Sequence, residues 1–120
     1  MLKKRLNSFK YAIKGIGLLF TEPNAKIHLG FTILTIAGGF FFSVSITEWC
    51  ILILAIAAVL SAEAMNTAIE YLTDLVSPNH NELAGKTKDV AAGAVLILAI
   101  GAAIIACIIF LPKIYNRFFN

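Results

Sequence analysis

The stretch Glu63-Ala64-Met65-Asn66-Thr67-Ala68-Ile69-Glu70, continued to Asp74, places acids at the end of an apolar run that starts at Trp49. Glu63, Asn66, Glu70 and Asp74 recur at steps of three, four and four, a spacing that puts all of them on one face of a helix. About 20 residues at a rise of about 1.5 Å span a hydrocarbon layer of about 30 Å, so the segment from Trp49 to Ile69 is long enough to cross a bilayer. An ionisable side chain within such a helix costs about 2.5–3.5 kcal/mol on insertion scales for Asp, Lys or Arg. Glu63 is therefore a functional candidate by its position alone.

On either side of this helix the chain is equally apolar. Val90 to Leu111 carries no charged residue, and Ile27 to Ile46 is interrupted only by His28 and by small or hydroxylated residues. With 59 % hydrophobic and 14 % charged residues in 120, and a mean hydropathy of +0.85, the chain has too few polar residues to clothe a water-soluble domain. The expected fold is an all-α integral membrane protein forming a single domain over residues 1–120, with membrane helices over about 27–46, 48–75 and 89–112.

The first twenty residues differ. Leu2, Leu6, Phe9, Ile13, Ile16 and Phe20 alternate in steps of four and three while Lys3, Lys4, Arg5, Lys10 and Lys14 take other positions. That pattern predicts an amphipathic helix over 1–20 lying in the headgroup plane. Lys14 and the lack of a small-residue cleavage site argue against a signal peptide. Thr21-Glu22-Pro23-Asn24 and Ser77-Pro78-Asn79 read as turns, and Pro112 is expected to close the last span.

Of the ten Lys and Arg residues, six lie between Lys3 and Lys26, two are Lys86 and Lys88, and two are Lys113 and Arg117. The positive-inside rule then puts the N-terminus and the loop from Ser77 to Lys88 in the cytoplasm, and the turn from Ser43 to Thr47 and the C-terminal tail outside. All the acids except Glu48 fall on or near the cytoplasmic half, where nucleotides are found. Gly38-Gly39, Gly93, Ala94, Gly101, Ala102, Ala103 and Ala106 read as sites of close helix packing, and Trp49 and Tyr115 as interface anchors. Cys50 and Cys107 read as buried apolar residues, and His28 and His80 have no zinc-site spacing.

Glu63 and Glu70 lie about 10 Å apart along the helix axis, too far to chelate directly one magnesium ion with ligands at about 2.0–2.1 Å. Separate roles follow: Glu70, nearer the surface, suits a metal bridging nucleotide phosphates, and the deeper Glu63 suits an alcohol presented from the lipid. Asn66 sits between them, and Asp74 reads as a solvated acid at the helix end. The second cluster, Glu82-Leu-Ala-Gly85-Lys86-Thr87-Lys88-Asp89, ends like a P-loop, but His80 stands where the earlier glycine belongs and no strand precedes it. What remains is Lys88 and Asp89 at a helix start, a place that attracts phosphate.

These residues, together with Ala91-Ala92-Gly93-Ala94-Val95, Tyr11-Ala-Ile-Lys-Gly15, Glu22, Asn24 and Lys26-Ile27-His28, closely resemble the prokaryotic diacylglycerol kinase family, which includes undecaprenol kinases. The resemblance covers nearly the whole chain. It implies a homotrimeric kinase of the bacterial inner membrane, with shared active sites, that moves the terminal phosphate of magnesium-ATP onto diacylglycerol or undecaprenol. It implies Glu63 as general base, Glu22 and Glu70 as Mg2+ ligands, Asn66 as their neighbour, and Tyr11, Lys88, Asp89 and Lys4 as nucleotide contacts. Lys26-Ile27-His28 is closer to the undecaprenol-preferring branch. Nucleic acid is not expected as a partner. A carboxylate-based ion or proton carrier is the rival reading, but its path should continue outward, and the outer half of the Glu63 helix has no ionisable residue until Glu48. A non-catalytic assembly subunit would not need Glu22, Lys88 and Asp89 near the same face.

Overall fold

The computed structural model describes residues 1–120 and is entirely helical, with four helices in the order α1 (Leu2–Leu19), α2 (Pro23–Phe41), α3 (Ile46–Val76) and α4 (Glu82–Phe118). Two of them, α3 and α4, are long and apolar enough to cross a membrane. These two form the main pairing of the bundle, with α2 packed more lightly on α3 and α1 touching α3 near its end.

The molecule is a slab. Its extents are 57 × 43 × 20 Å, and the short dimension is about two helix diameters of 10–12 Å. The radius of gyration, 18.0 Å, exceeds the roughly 14 Å expected of a compact soluble domain of this length. Only 12 of 120 residues are buried, while Phe31, Leu54, Leu96, Ile97 and Ile108 are among many large apolar side chains left open. In water that surface would drive association; against hydrocarbon it is already solvated.

Helix ends are set by caps rather than by hydropathy. Pro23 occupies the first turn of α2, where its missing N–H is not needed. The helix stops at Phe41, earlier than the 46 that hydropathy suggests, because the next residues build the start of α3. Ser43 adopts a left-handed φ of 52°, and Ser45 forms a capping box with Glu48. Ser45 Oγ accepts from the Glu48 N–H at 3.1 Å, and the Ser45 N–H donates to Glu48 Oε1 at 2.9 Å. Similarly, α4 starts at Glu82 rather than near 89, since Asn81 Oδ1 accepts from the N–H groups of Leu83 (2.9 Å) and Ala84 (3.2 Å).

Pro112 does not close the last helix; it lies inside α4, which runs on to Phe118. Proline disfavours a helix interior, but side chains around it tie the last turns to the bundle. Lys113 Nζ lies 3.2 Å from Glu48 Oε1, and the Arg117 guanidinium sits over the Phe41 ring at 4.6 Å. Beneath them Val44, Leu52 and Ile109 form the small core, flanked by Trp49, Ile105 and Phe110.

The glycines divide on packing. Gly38 faces Phe110 and Gly39 faces the Trp49 indole, whereas a methyl group added at Gly93 or Gly101 would meet nothing within 4 Å. Cys50 and Cys107 are free and exposed on the bundle's outer faces rather than buried. In so apolar a chain the outward faces are as hydrophobic as the inward ones, so hydropathy does not separate them. At Gly39 the same methyl group overlaps the Trp49 ring. Gly39→Ala is therefore expected to destabilise the α2–α3 corner by about 1–3 kcal/mol. Unfolding in detergent micelles checks this, with Gly30→Ala, which meets nothing within 4 Å, as the unaffected comparison.

Candidate functional site

The polar face of α3 runs as a gradient of exposure. Glu63 is 3 % exposed and Asn66 6 %, whereas Glu70 is half-buried and Asp74 exposed. Thr67, between them, is buried and turns its hydroxyl to its own helix, donating to the Glu63 carbonyl at 3.0 Å. Asn66 Nδ2 donates to Glu70 Oε1 at 3.2 Å, and Asn66 Oδ1 has no hydrogen-bond partner although it is buried. A buried acceptor left unpaired costs about 1–3 kcal/mol, which makes this oxygen a place for a donor or cation from outside the chain.

Glu22 reaches the site from the turn between α1 and α2. Its Oε1 accepts a hydrogen bond of 3.2 Å from the Tyr71 hydroxyl, and Tyr71 follows Glu70 directly in α3. Glu22 bonds that hydroxyl, and the negative charge of Glu70 acts on it more weakly from α3. No group of three or more His, Cys, Asp or Glu side chains forms a metal cage. Magnesium does not require one, because it is commonly held by one or two carboxylates together with substrate phosphates and water. The all-oxygen set of Glu22, Glu70 and the orphaned Asn66 Oδ1 has the hard-donor character that such an ion takes.

Lys88 approaches from the first turns of α4, where its Nζ lies 2.5 Å from Asp74 Oδ1. Asp74, which the sequence suggests is merely solvated, is thus the partner of the nearest cation. Asp89 is exposed, and its side chain takes part in no hydrogen bond or ion pair. Tyr11 and Lys4 lie on the exposed length of α1, and no side-chain contact joins either to the α3 stripe. Within one chain the structure pairs Asn66 with Glu70, Glu22 with Tyr71, Lys88 with Asp74 and Glu63 with His28, and gives Lys4, Tyr11 and Asp89 no side-chain hydrogen bond or ion pair on this face.

Two further side chains belong to this neighbourhood. Tyr71 is one; its signal in the sequence is only its place beside Glu70. The other is His28 of α2, whose Nε2 lies 3.5 Å from Glu63 Oε2. An ionisable residue within the apolar length of α2, one turn beyond its start, is the signal that points to it. His28 also borders a groove of about 240 Å3 between α2, α3 and α4, walled by Phe31, Thr35, Ile56, Val59 and the alanines 99, 102, 103 and 106. The groove is mostly apolar and opens on the bundle's side, with the histidine among its few polar groups.

A sequence model described as prokaryotic diacylglycerol kinase matches residues 10–110, which include every candidate residue except Lys4. An undecaprenol kinase of Bacillus subtilis strain 168 is 40 % identical over 114 residues, covering 94 % of this chain and 93 % of that protein. A diacylglycerol kinase of Synechocystis sp. is 36 % identical over 113 residues, 92 % of this chain and 65 % of its own length. A diacylglycerol kinase of Haemophilus influenzae is 29 % identical over 93 residues, 77 % of this chain and 79 % of that one.

Proposed function

Because the chain belongs to the prokaryotic diacylglycerol kinase family, and is on that ground a membrane lipid kinase, we propose that it transfers the terminal phosphate of ATP to the hydroxyl of undecaprenol or diacylglycerol at the cytoplasmic face of a bacterial inner membrane. The observation that carries the reading is the Glu63 carboxylate, 3 % exposed in an apolar helix and followed within two turns by the Asn66–Glu70 pair.

In this reading α2, α3 and α4 all cross the membrane and α1 lies along its inner surface, the whole of 1–120 forming one membrane domain. The 19 residues of α2 extend about 28 Å, just enough for the hydrocarbon layer, while the 31 of α3 and 37 of α4 extend about 46 and 55 Å and project beyond it. An N-terminus in the cytoplasm suits the distribution of cations, since the two on the opposite side, Lys113 and Arg117, are occupied by Glu48 and Phe41. A homotrimer with shared sites suits a slab with unfilled glycines at 93 and 101 and with Lys4, Tyr11 and Asp89, which a neighbouring subunit would bring to the nucleotide, making no polar contact to the α3 face.

Phosphoryl transfer asks for alignment, charge neutralisation and a proton acceptor more than for covalent chemistry. Glu63 takes the proton of the lipid hydroxyl as that oxygen attacks. Glu22 and Glu70, with Asn66 beside them, would hold Mg2+, which supplies positive charge against the phosphate oxygens when bound. Lys88 offers an ammonium to the phosphates. An ion or proton carrier finds no support in the family match, and it would not need a lipid alcohol.

The test is ATP consumption by purified protein in micelles, with undecaprenol and diacylglycerol offered side by side. Consumption that needs both Mg2+ and an added lipid alcohol is expected, with undecaprenol preferred, in keeping with the relative matched end to end. ATP turnover indifferent to lipid would refute the assignment, and equal rates on the two acceptors would remove the preference.

A further inference from the structure

We infer that His28 is a positioning residue for Glu63: its imidazole, at the edge of the apolar groove, holds the carboxylate from across the contact between α2 and α3. The inference rests on the assignment of Glu63 as proton acceptor. The two groups come from different helices, with His28 Nε2 3.5 Å from Glu63 Oε2 and side-chain exposures of 21 % and 3 %. No other side chain hydrogen-bonds or pairs with the Glu63 carboxylate, so His28 is its one polar anchor in the chain.

The histidine lies one turn before Thr32 in α2. Its carbonyl accepts the Thr32 hydroxyl at 2.8 Å, and its ring lies at the groove edge, where α4 presents only alanines 99, 102, 103 and 106. Lys26, two residues earlier in α2, is exposed and directed elsewhere by the helix turn. A buried carboxylate with a single polar neighbour takes its orientation from that neighbour. With Nε2 carrying the proton, His28 donates to Oε2 and leaves the other carboxylate oxygen free to accept. The gap of 3.5 Å is longer than a formed hydrogen bond of 2.7–3.2 Å, and contacts of this kind commonly close when substrate is bound.

The imidazole neither gives nor takes a proton in the reaction. The lipid O–H bond breaks, its proton passes to Glu63, and the Nε2 proton stays where it is. The donor, rather than the ring, is therefore what matters, and Gln, whose amide nitrogen reaches about as far as Nε2, should replace it.

The experiment compares His28→Ala, His28→Gln and Glu63→Gln in the full-length protein, with kcat and the KM values for Mg-ATP and lipid alcohol measured in micelles. For His28→Ala, kcat is expected to fall about 10- to 100-fold, the worth of a hydrogen bond to a charged group, with the KM for Mg-ATP unchanged. His28→Gln should recover kcat to within about threefold of the parent. An unaltered kcat in His28→Ala, or a Gln variant as slow as the Ala one, would overturn the inference, and a raised KM for Mg-ATP would point to general disruption instead and overturn it too. The underlying assignment fails separately: if Glu63→Gln keeps its activity, Glu63 is not the base, whatever His28 does.

Discussion

Glu63→Gln is expected to lower kcat by about 10²- to 10⁴-fold, the usual contribution of a positioned general base, while leaving the KM for Mg-ATP near its original value. The substitution keeps the size and the hydrogen-bonding ability of the side chain and removes only its basicity. Because Glu63 is buried, with His28 as its polar neighbour, the amide should fit without repacking the helices. The fold is therefore expected to persist, and the loss should fall on the chemical step. Initial rates over a matrix of ATP and lipid alcohol concentrations check this; a kcat within a few-fold of the parent would assign the proton to another group.

Glu70→Ala should produce a loss of a different kind. Glu70 accepts from Asn66, and in the proposed metal site its removal would leave Glu22 as the remaining carboxylate for a divalent ion. Activity at ordinary magnesium is expected to drop by about 10²-fold, since a bound cation contributes several kcal/mol of charge stabilisation in the transition state. Raising Mg2+ should restore part of it. A titration of rate against Mg2+ separates the two variants: that of Glu70→Ala shifts to higher concentration, and that of Glu63→Gln stays in place at a lower plateau.

Much of this molecule is legible in its sequence because membrane helices must be both long and apolar. The lengths of α3 and α4, and the single acid at Glu63, stand out against that background. The helix ends are less legible, since they depend on local donors and acceptors. The Ser45 and Asn81 caps decide where α3 and α4 begin, and a hydropathy profile does not see them. Pro112 misleads for the same reason: the Glu48–Lys113 and Phe41–Arg117 contacts that carry the helix past it join residues more than 60 apart.

At the site, the α3 stripe follows from helical spacing, because Glu63, Asn66, Glu70 and Asp74 are neighbours on one element. Contacts between elements do not follow. The Tyr71 bond to Glu22, the Lys88 bond to Asp74 and the approach of His28 to Glu63 each depend on how two helices or a turn are set against one another. His28 and Asp74 are the residues whose importance this conceals. Each acquires its specific role from a partner on another helix.

If Lys88 meets the phosphates as proposed, its pairing with Asp74 makes nucleotide binding partly an exchange rather than a simple addition. An ammonium already paired with a carboxylate is partly neutralised before phosphate arrives, so a polyphosphate chain competes with the acid for its charge. Dissolved salt weakens the contact being lost as well as the one being gained, so the two effects partly cancel. Affinity for ATP should consequently fall less steeply with ionic strength than it would with an unengaged lysine, and an Asp74→Asn enzyme should bind nucleotide more tightly at low salt and lose that advantage as salt is added.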